Sequence, residues 1–477
     1  MIATVLSPDD VSAIHEASLE ILARVGVTVP HEETLRRFAD RGADVDLDSQ
    51  HVRIPPDLVL ECLDSAGKSF TICGRDRART AAFGVGRRNY NSIAGEALWL
   101  DERTLERRYA ELRDVRAACV VGDALPRLNV VGAMTDPHDV PEAIQDVPVV
   151  REMIVHTTKP ITFWFNTRAS ARYVCDMLIA VAGSEEEAGR FPLTYNFLEP
   201  ISPLRFATNG IDLLYETARL PLPVSVGPMV QAGMSGPVTL AGAIAQENAE
   251  ILAGICVTQL VREGVPVCYG GIAHTFDMRT TQLVFAGPEQ ALMAVAFTQL
   301  GKHYGLPVYI NVGLTDAKIP DAQAGMEAGI TLAAGAAAGA DIFGHLGICG
   351  VDQATSLGML VMQHELIGYV ERLMGGITVT PETLALDVIE SVARRGGSFL
   401  AEEHTVGHFR QEHWVPELLE RDYFDAWAEG GRKDMRARCL ERLDHILATH
   451  EPEPPPDDVV AELDRIVEAA MRECGAA

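Results

Sequence analysis

Residues 307–348 read PVYINVGLTDAKIPDAQAGMEAGITLAAGAAAGADIFGHLGI. The β-branched run Pro307–Val312 predicts a strand, the polar run Gly313–Gln323 a loop, the Ala/Gly-rich run a helix, and Ala340–Gly347 a second strand. Together they make one βαβ unit, and in a parallel barrel the loop after each strand opens onto the active-site face. This loop carries Asp316, Lys318, Asp321 and Gln323, which places candidate chemistry there.

The pattern continues upstream. Further apolar strands are predicted at 128–134, 160–165, 192–197, 223–229 and 266–272, with 307–312 and 341–347 completing the series. Helical patterns such as 238–261 and 288–304 fill the gaps, and several strands begin at a proline. Strands of this kind, apolar on both faces, belong to a parallel sheet covered by helices. The expected fold is α/β, a (β/α)8 barrel with Ser398–Leu400 as its eighth strand. A doubly wound open sheet is the alternative, but it normally shows a GxGxxG turn, and none follows a strand here.

Residues 1–120 lack this rhythm and read as an N-terminal α+β elaboration, beginning with a helix capped by Ser7 with Pro8 in its first turn. The barrel is assigned to 121–400 and a C-terminal helical extension to 401–477. That extension includes a helix at 435–449, a stiff EPEPPPDD linker at 451–458 and a last helix at 459–474.

Of 477 residues, 47% are apolar and 22% charged, a globular composition. The net charge of −27 repels phosphate backbones and anionic lipid, so neither nucleic acid nor membrane is an expected partner. Nine scattered cysteines without a CxxC pair predict reduced thiols. The N-terminus has neither a basic nor an apolar leader region, and a cytoplasmic protein is expected.

If the strands close into a barrel, Tyr195, Phe197 and Glu199 at the end of the third predicted strand, Tyr269 at the end of the fifth with His274 following, Asn311 at the end of the sixth and His345 at the end of the seventh meet at one mouth. Aromatic walls with a few acids suit an organic cation. The bland alternative is that these side chains fill the interior. Gly233, Ser235 and Gly236, before Pro237 opens a helix, make a candidate carboxylate seat or else a tight turn. Lys318, flanked by Asp316 and Asp321, reads as an ion-pair partner more readily than as a Schiff-base lysine. His404, His408 and His413 have no metal-binding signature, so no metal site is expected.

The segments SPLRF (202–206), GPVTLAGAIAQENAEILAG (236–254), DMRTTQ (277–282), TDAKIPDAQAGMEA (315–328) and GGSFLAEEHTVGHFRQEHW (396–414) resemble the trimethylamine methyltransferase (MttB) superfamily. The likeness extends to LSPDDVSAIHEASLEILARVGVTV at the start. It implies a barrel methyltransferase that moves a methyl group from a methylated amine to the Co(I) corrinoid of a small partner protein. The corrinoid is then not bound tightly by this chain, and a homo-oligomer is expected. With no pyrrolysine in the sequence, the chain looks like the branch acting on quaternary amines such as glycine betaine. A quaternary ammonium leaves as a neutral amine and needs no proton. On this reading Glu199, Asn311, Asp316 and Gln323 are the catalytic candidates, and Tyr195, Phe197, Gly233, Ser235, Gly236, Tyr269, His274 and His345 bind substrate. A barrel lyase using Lys318 and a catalytically silent betaine-binding protein are the alternatives. The chain departs from the family where an acidic pair is usual, with Gly358 and His364 there, and in RRNYNSIAG (87–95).

Overall fold

In the computed structural model, which describes residues 3–474, eight strand–helix pairs follow one another between residues 89 and 374, with short strands and helical turns inserted between them. The strands are β1 (Asn89–Ser92), β2 (Val131–Gly132), β3 (Ile161–Thr162), β4 (Asn196–Leu198), β5 (Val224–Val226), β6 (Val267–Gly271), β7 (Val308–Asn311) and β8 (Ile342–Leu346). The helices that follow them are α1 (Leu112–Ala124), α2 (Asp146–His156), α3 (Arg168–Ala182), α4 (Thr208–Thr217), α5 (Leu240–Val261), α6 (Pro288–His303), α7 (Ala322–Ala338) and α8 (Leu357–Met374).

Six strands form one parallel sheet in the order β4-β5-β6-β7-β8-β1, and β2 and β3 form a parallel pair. Backbone bonds link that pair to both edges of the six: Val130 N donates to Tyr90 O at 3.1 Å, and Ile161 N to Leu193 O at 3.0 Å. All seven strands expected from the sequence are present. The eighth is not Ser398–Leu400, where a short 3-10 turn spans Phe399–Ala401 on the surface. It is Asn89–Ser92, from the segment assigned to the N-terminal elaboration, and it pairs with β8. Hydrophobic pattern does not reveal it because NYNS is polar, although every residue of it is buried. Its asparagines bond internally: Asn89 Nδ2 donates to Ala82 O, and Asn91 Nδ2 to Tyr195 Oη, while Asn91 Oδ1 is left without a partner.

Alternate side chains face inward. Val130, Tyr195, Cys268, Tyr309 and Ile342 form one cluster with Ile72, Ala81 and Phe83 of the hairpin Phe70–Cys73/Thr80–Phe83. The hairpin is tied to the amino ends of the strands by Cys73 N donating to Pro192 O at 2.8 Å, and Phe83 meets Tyr195 edge-on at 6.2 Å. That end of the sheet is therefore filled with side chains.

Outside, α5 is buried almost all round, covered by the helices Pro8–Glu20 and Pro56–Ser65 and by α6. A helix buried on every side needs no polar stripe, which is why its sequence shows none. It is long and apolar enough to cross a membrane, but its burial makes it a core helix. Glu247 on α5 accepts from Ile272 N at 2.7 Å and Val230 N at 3.1 Å, pinning the loops after β6 and β5. Helices Met435–Thr449 and Asp457–Cys474 pack back on the body. Between α8 and these helices runs an arm, 376–432, that leaves Ile377, Leu400, Tyr423 and Phe424 in solvent. All nine cysteines are free.

Candidate active site

At the carboxyl ends of the strands the loops bring four carboxylates and a set of aromatic rings together. Glu96 follows β1, Asp136 follows β2, Glu199 follows β4, and Asp352 lies between β8 and α8. Two backbone ties fix the first pair: Asp136 N and Thr135 Oγ1 both donate to Glu96 O at 2.9 Å. Trp164, after β3, donates its Nε1 to Gly95 O at 3.1 Å, and its ring meets Phe197 edge-on at 5.8 Å. Phe197 meets Tyr309 at 5.5 Å, and Tyr309 Oη lies 3.0 Å from His345 Nδ1. A methyl group at position 344 would fall 1.8 Å from Tyr309 Oη, so Gly344 makes room for this ring.

The loop carrying Asp352 is held in an unusual backbone. Val351 and Asp352 have φ of +63° and +59°, and His345 has φ of +71° at the irregularity in the β8–β1 register. For a β-branched valine the left-handed region costs energy, and such strain collects at functional sites. Here it turns Asp352 toward the other acids, with Oδ1 buried and without a partner.

Among the described residues none of the four carboxylates receives a side-chain or backbone hydrogen bond, and none lies in a salt bridge. Glu199 is solvent-exposed although protein surrounds it, so it lines a hollow. Burial and the neighbouring Asp352, Asp136 and Glu199 push Glu96 up to about 9. Burial, then Asp352, pushes Glu199 up to about 7, and burial alone raises Asp352 to about 7. Asp136 rises to about 6, with His138 opposing. Between the ordinary carboxylate range and these values the folded chain holds more protons than the unfolded chain. Stability of the unliganded protein is therefore expected to fall as pH rises from about 5 to about 9. Thermal unfolding across that range checks this, with Glu96→Gln flattening the upper part; a midpoint that rises with pH would contradict it.

The structure sorts the residues expected from the sequence. Phe197, Glu199, Tyr309's neighbour Asn311, and His345 belong to this end of the sheet. Asn311 is fully buried on the inward face, and both atoms of its side-chain amide are without partners. Tyr195 also points inward but sits in the layer at the amino ends, against the plugging hairpin. Tyr269 points outward: its hydroxyl donates to Asn248 Oδ1 on α5 at 2.8 Å and its ring packs near Phe297 and Tyr304. This corrects its placement at the mouth. His274 is buried and stacked on Phe285 at 4.4 Å. Its Nδ1 lies 3.0 Å from the Phe285 carbonyl, so Nδ1 carries the proton and Nε2 is an unpartnered acceptor. Burial brings both His274 and His345 down to about 3, so both are neutral.

Asp316 is a tether, accepting from Phe285 N at 2.9 Å and Ala286 N at 3.4 Å. Gln323 is exposed on the first turn of α7, bonded to Glu327. Lys318 is exposed and donates to the Asp316 carbonyl at 2.7 Å. Gly233, Ser235 and Gly236 form a closed turn: the N–H groups of 234, 235 and 236 donate to Gln231 O, and that of Gly233 to Gly236 O. The helix after them begins at Leu240, not Pro237. With those donors already used, the proposed seat has no free N–H groups for a carboxylate. Gly358 N donates to Glu102 Oε1 at 2.8 Å, and a side chain there would meet Glu102 Oε2, so a carboxylate from another segment fills that space. His364 Nε2 accepts from Arg127 N at 3.3 Å. His404, His408 and His413 lie in the arm, and the described residues contain no group of acids, histidines or cysteines able to close on a metal.

Sequence reasoning missed Glu96, Asp136, Trp164 and Asp352. Asp136 and Trp164 follow recognised strands and answer to the strand-end rule that found Glu199. Glu96 was hidden with its polar strand, and Asp352 depends on a left-handed turn that runs on from Gly350 through two non-glycine residues.

Comparison with known proteins assigns the family. The trimethylamine methyltransferase (MTTB) family profile matches residues 2–475. A trimethylamine methyltransferase MttB of Desulfitobacterium hafniense is 31% identical over 99% of this chain and 95% of its own length. A glycine betaine methyltransferase of another strain of that species is 29% identical, covering 99% and 98%. The crystal structure of a hydroxylamine MtmB complex superposes with a TM-score of 0.53 at 11% identity, over 93% of this chain and 88% of the other, a likeness of fold. The chain belongs to the trimethylamine methyltransferase family and is a methyltransferase of it.

Proposed function

We propose that this methyltransferase takes the methyl group from a quaternary or otherwise methylated ammonium bound at the carboxyl ends of a (β/α)8 barrel. The acceptor is the cobalt of a corrinoid carried by a small partner protein. One observation carries the reading: four carboxylates without a hydrogen-bond or salt-bridge partner among the described residues, at the same end of the sheet as the rings of Trp164, Phe197 and Tyr309. Acids raised by burial, and for Glu96 and Glu199 also by neighbouring carboxylates, are relieved by a cation from outside, and ring faces attract the same ion.

The corrinoid supplies the nucleophile, and this chain supplies position. The plugged amino ends confine the ammonium to the open side, where an acceptor brought from outside has access. Phe197 and Trp164 strip water from the N-methyl groups, so that the attacking metal meets a desolvated carbon in line with its leaving nitrogen. A quaternary nitrogen departs as a neutral amine, and no side chain has to deliver a proton. Asn311, His274 and His345 are neutral groups at this end, which orient without trapping the cation. Lys318, exposed and tied to its own loop, gives no support to the lyase alternative.

Incubating the full chain with reduced cobalamin and a panel of methylated ammonium compounds tests the proposal. Conversion to methylcobalamin with at least one of them is expected. Binding without conversion for every compound would leave a silent binding protein instead.

A further inference from the structure

We infer that the hollow selects an ammonium carrying no carboxylate of its own, of the tetraalkylammonium or choline type, and discriminates against betaines. The inference rests on the methyltransferase reading above and narrows its substrate class. A betaine carries its anion only a few bonds from the nitrogen, so whatever seats the ammonium also sets a carboxylate nearby. Glu96, Asp136, Glu199 and Asp352 come from four different loops of this one end. A substrate carboxylate placed among them gains repulsion, not a partner.

Most basic side chains of the same loops are engaged elsewhere: Arg107 donates to Gln353 Oε1 at 3.1 Å, Arg279 pairs with Asp277, and Lys318 holds the Asp316 carbonyl. Arg205, after β4, is exposed, and its backbone pairs with Ile201 and Thr28. His138 lies against the Tyr109 ring at 4.4 Å on the exposed rim. The glycine-rich turn at 233–236 has used its N–H groups on itself.

Two unpartnered polar side chains that are fully buried point to a ligand. Asn311, on the inward face one step beyond Tyr309, has a free amide oxygen as well as a free N–H. His274 Nε2 presents a lone pair, because Nδ1 carries the proton and donates to the Phe285 carbonyl. These acceptors suit the polarised N-methyl C–H groups of a cation, or a hydroxyl on a choline-like tail. Beside this acidic group, Asn311 Nδ2 is a weak match for an anion.

Calorimetric titration of the full chain with tetramethylammonium, choline and glycine betaine tests this. At least one of the first two is expected to bind about tenfold or more tightly than glycine betaine. In the doubly neutralised variant Glu199→Gln/Asp352→Asn that gap is expected to narrow, a change that a purely structural role of these acids would not produce. Glycine betaine binding as tightly as either cation would overturn the inference. If glycine betaine also donates its methyl group to reduced cobalamin, the methyltransferase reading stands and only the substrate class falls. If none of the three binds and no ammonium donates a methyl group, both readings fall together.

Discussion

Glu199→Lys is expected to weaken ammonium binding by about a hundredfold or more while leaving the fold intact. The reasoning is electrostatic. Glu199 is exposed to the hollow and beside Asp352, and it makes no hydrogen bond or salt bridge among the described residues. A lysine there would place its ammonium where the substrate's has to sit and would pair with the remaining acids, occupying the hollow with a tethered competitor. Glu199→Gln is the milder comparison. Burial and Asp352 already hold this carboxyl at about 7, so near neutrality much of its charge is absent and the amide should cost far less. Calorimetry reports the binding and urea unfolding reports the fold. A lysine variant that binds and turns over normally would mean that Glu199 lies away from the substrate.

The second large effect concerns stability. Gly132→Ala is expected to cost about 3 kcal/mol or more, because the new methyl group meets backbone that cannot swing aside. Its carbon would fall 1.9 Å from Ile93 O and 2.4 Å from Ser92 O, on the strand paired beside it. Relief requires parting β1 from β2, and with them the loops that place Glu96 and Asp136. Ligand affinity should therefore fall along with stability. Gly325→Ala, in α7 with nothing within 4 Å of the new carbon, is the control, and should stabilise by about 0.5–1 kcal/mol through helix propensity. Urea denaturation of both variants decides it; equal midpoints would show that the two strands have slack at Gly132.

Phase along a strand explains the error over Tyr269. The run VCYGG is apolar on both faces, as a covered parallel strand must be, and Gly270 and Gly271 contribute no side chain to reveal which face is which. A shift of one residue exchanges inside for outside. In β4 the alternation is readable, since Asn196 bonds outward to Thr217 on α4 while Phe197 meets Trp164 and Tyr309 within.

Local composition was enough for seven strands, the helices between them, the core helix α5 and the family, because burial on both faces and helical spacing are written into consecutive residues. It also placed Phe197, Glu199, Asn311 and His345 at the carboxyl end of the sheet. The identity of β1, the outward turn of Tyr269, the self-bonded turn at 233–236 and the gathering of Glu96, Asp136 and Asp352 around Glu199 came from long-range pairing. Each is set by partners distant in the chain, since a buried asparagine, a left-handed aspartate or an unpaired carboxylate takes its meaning from what folding brings beside it.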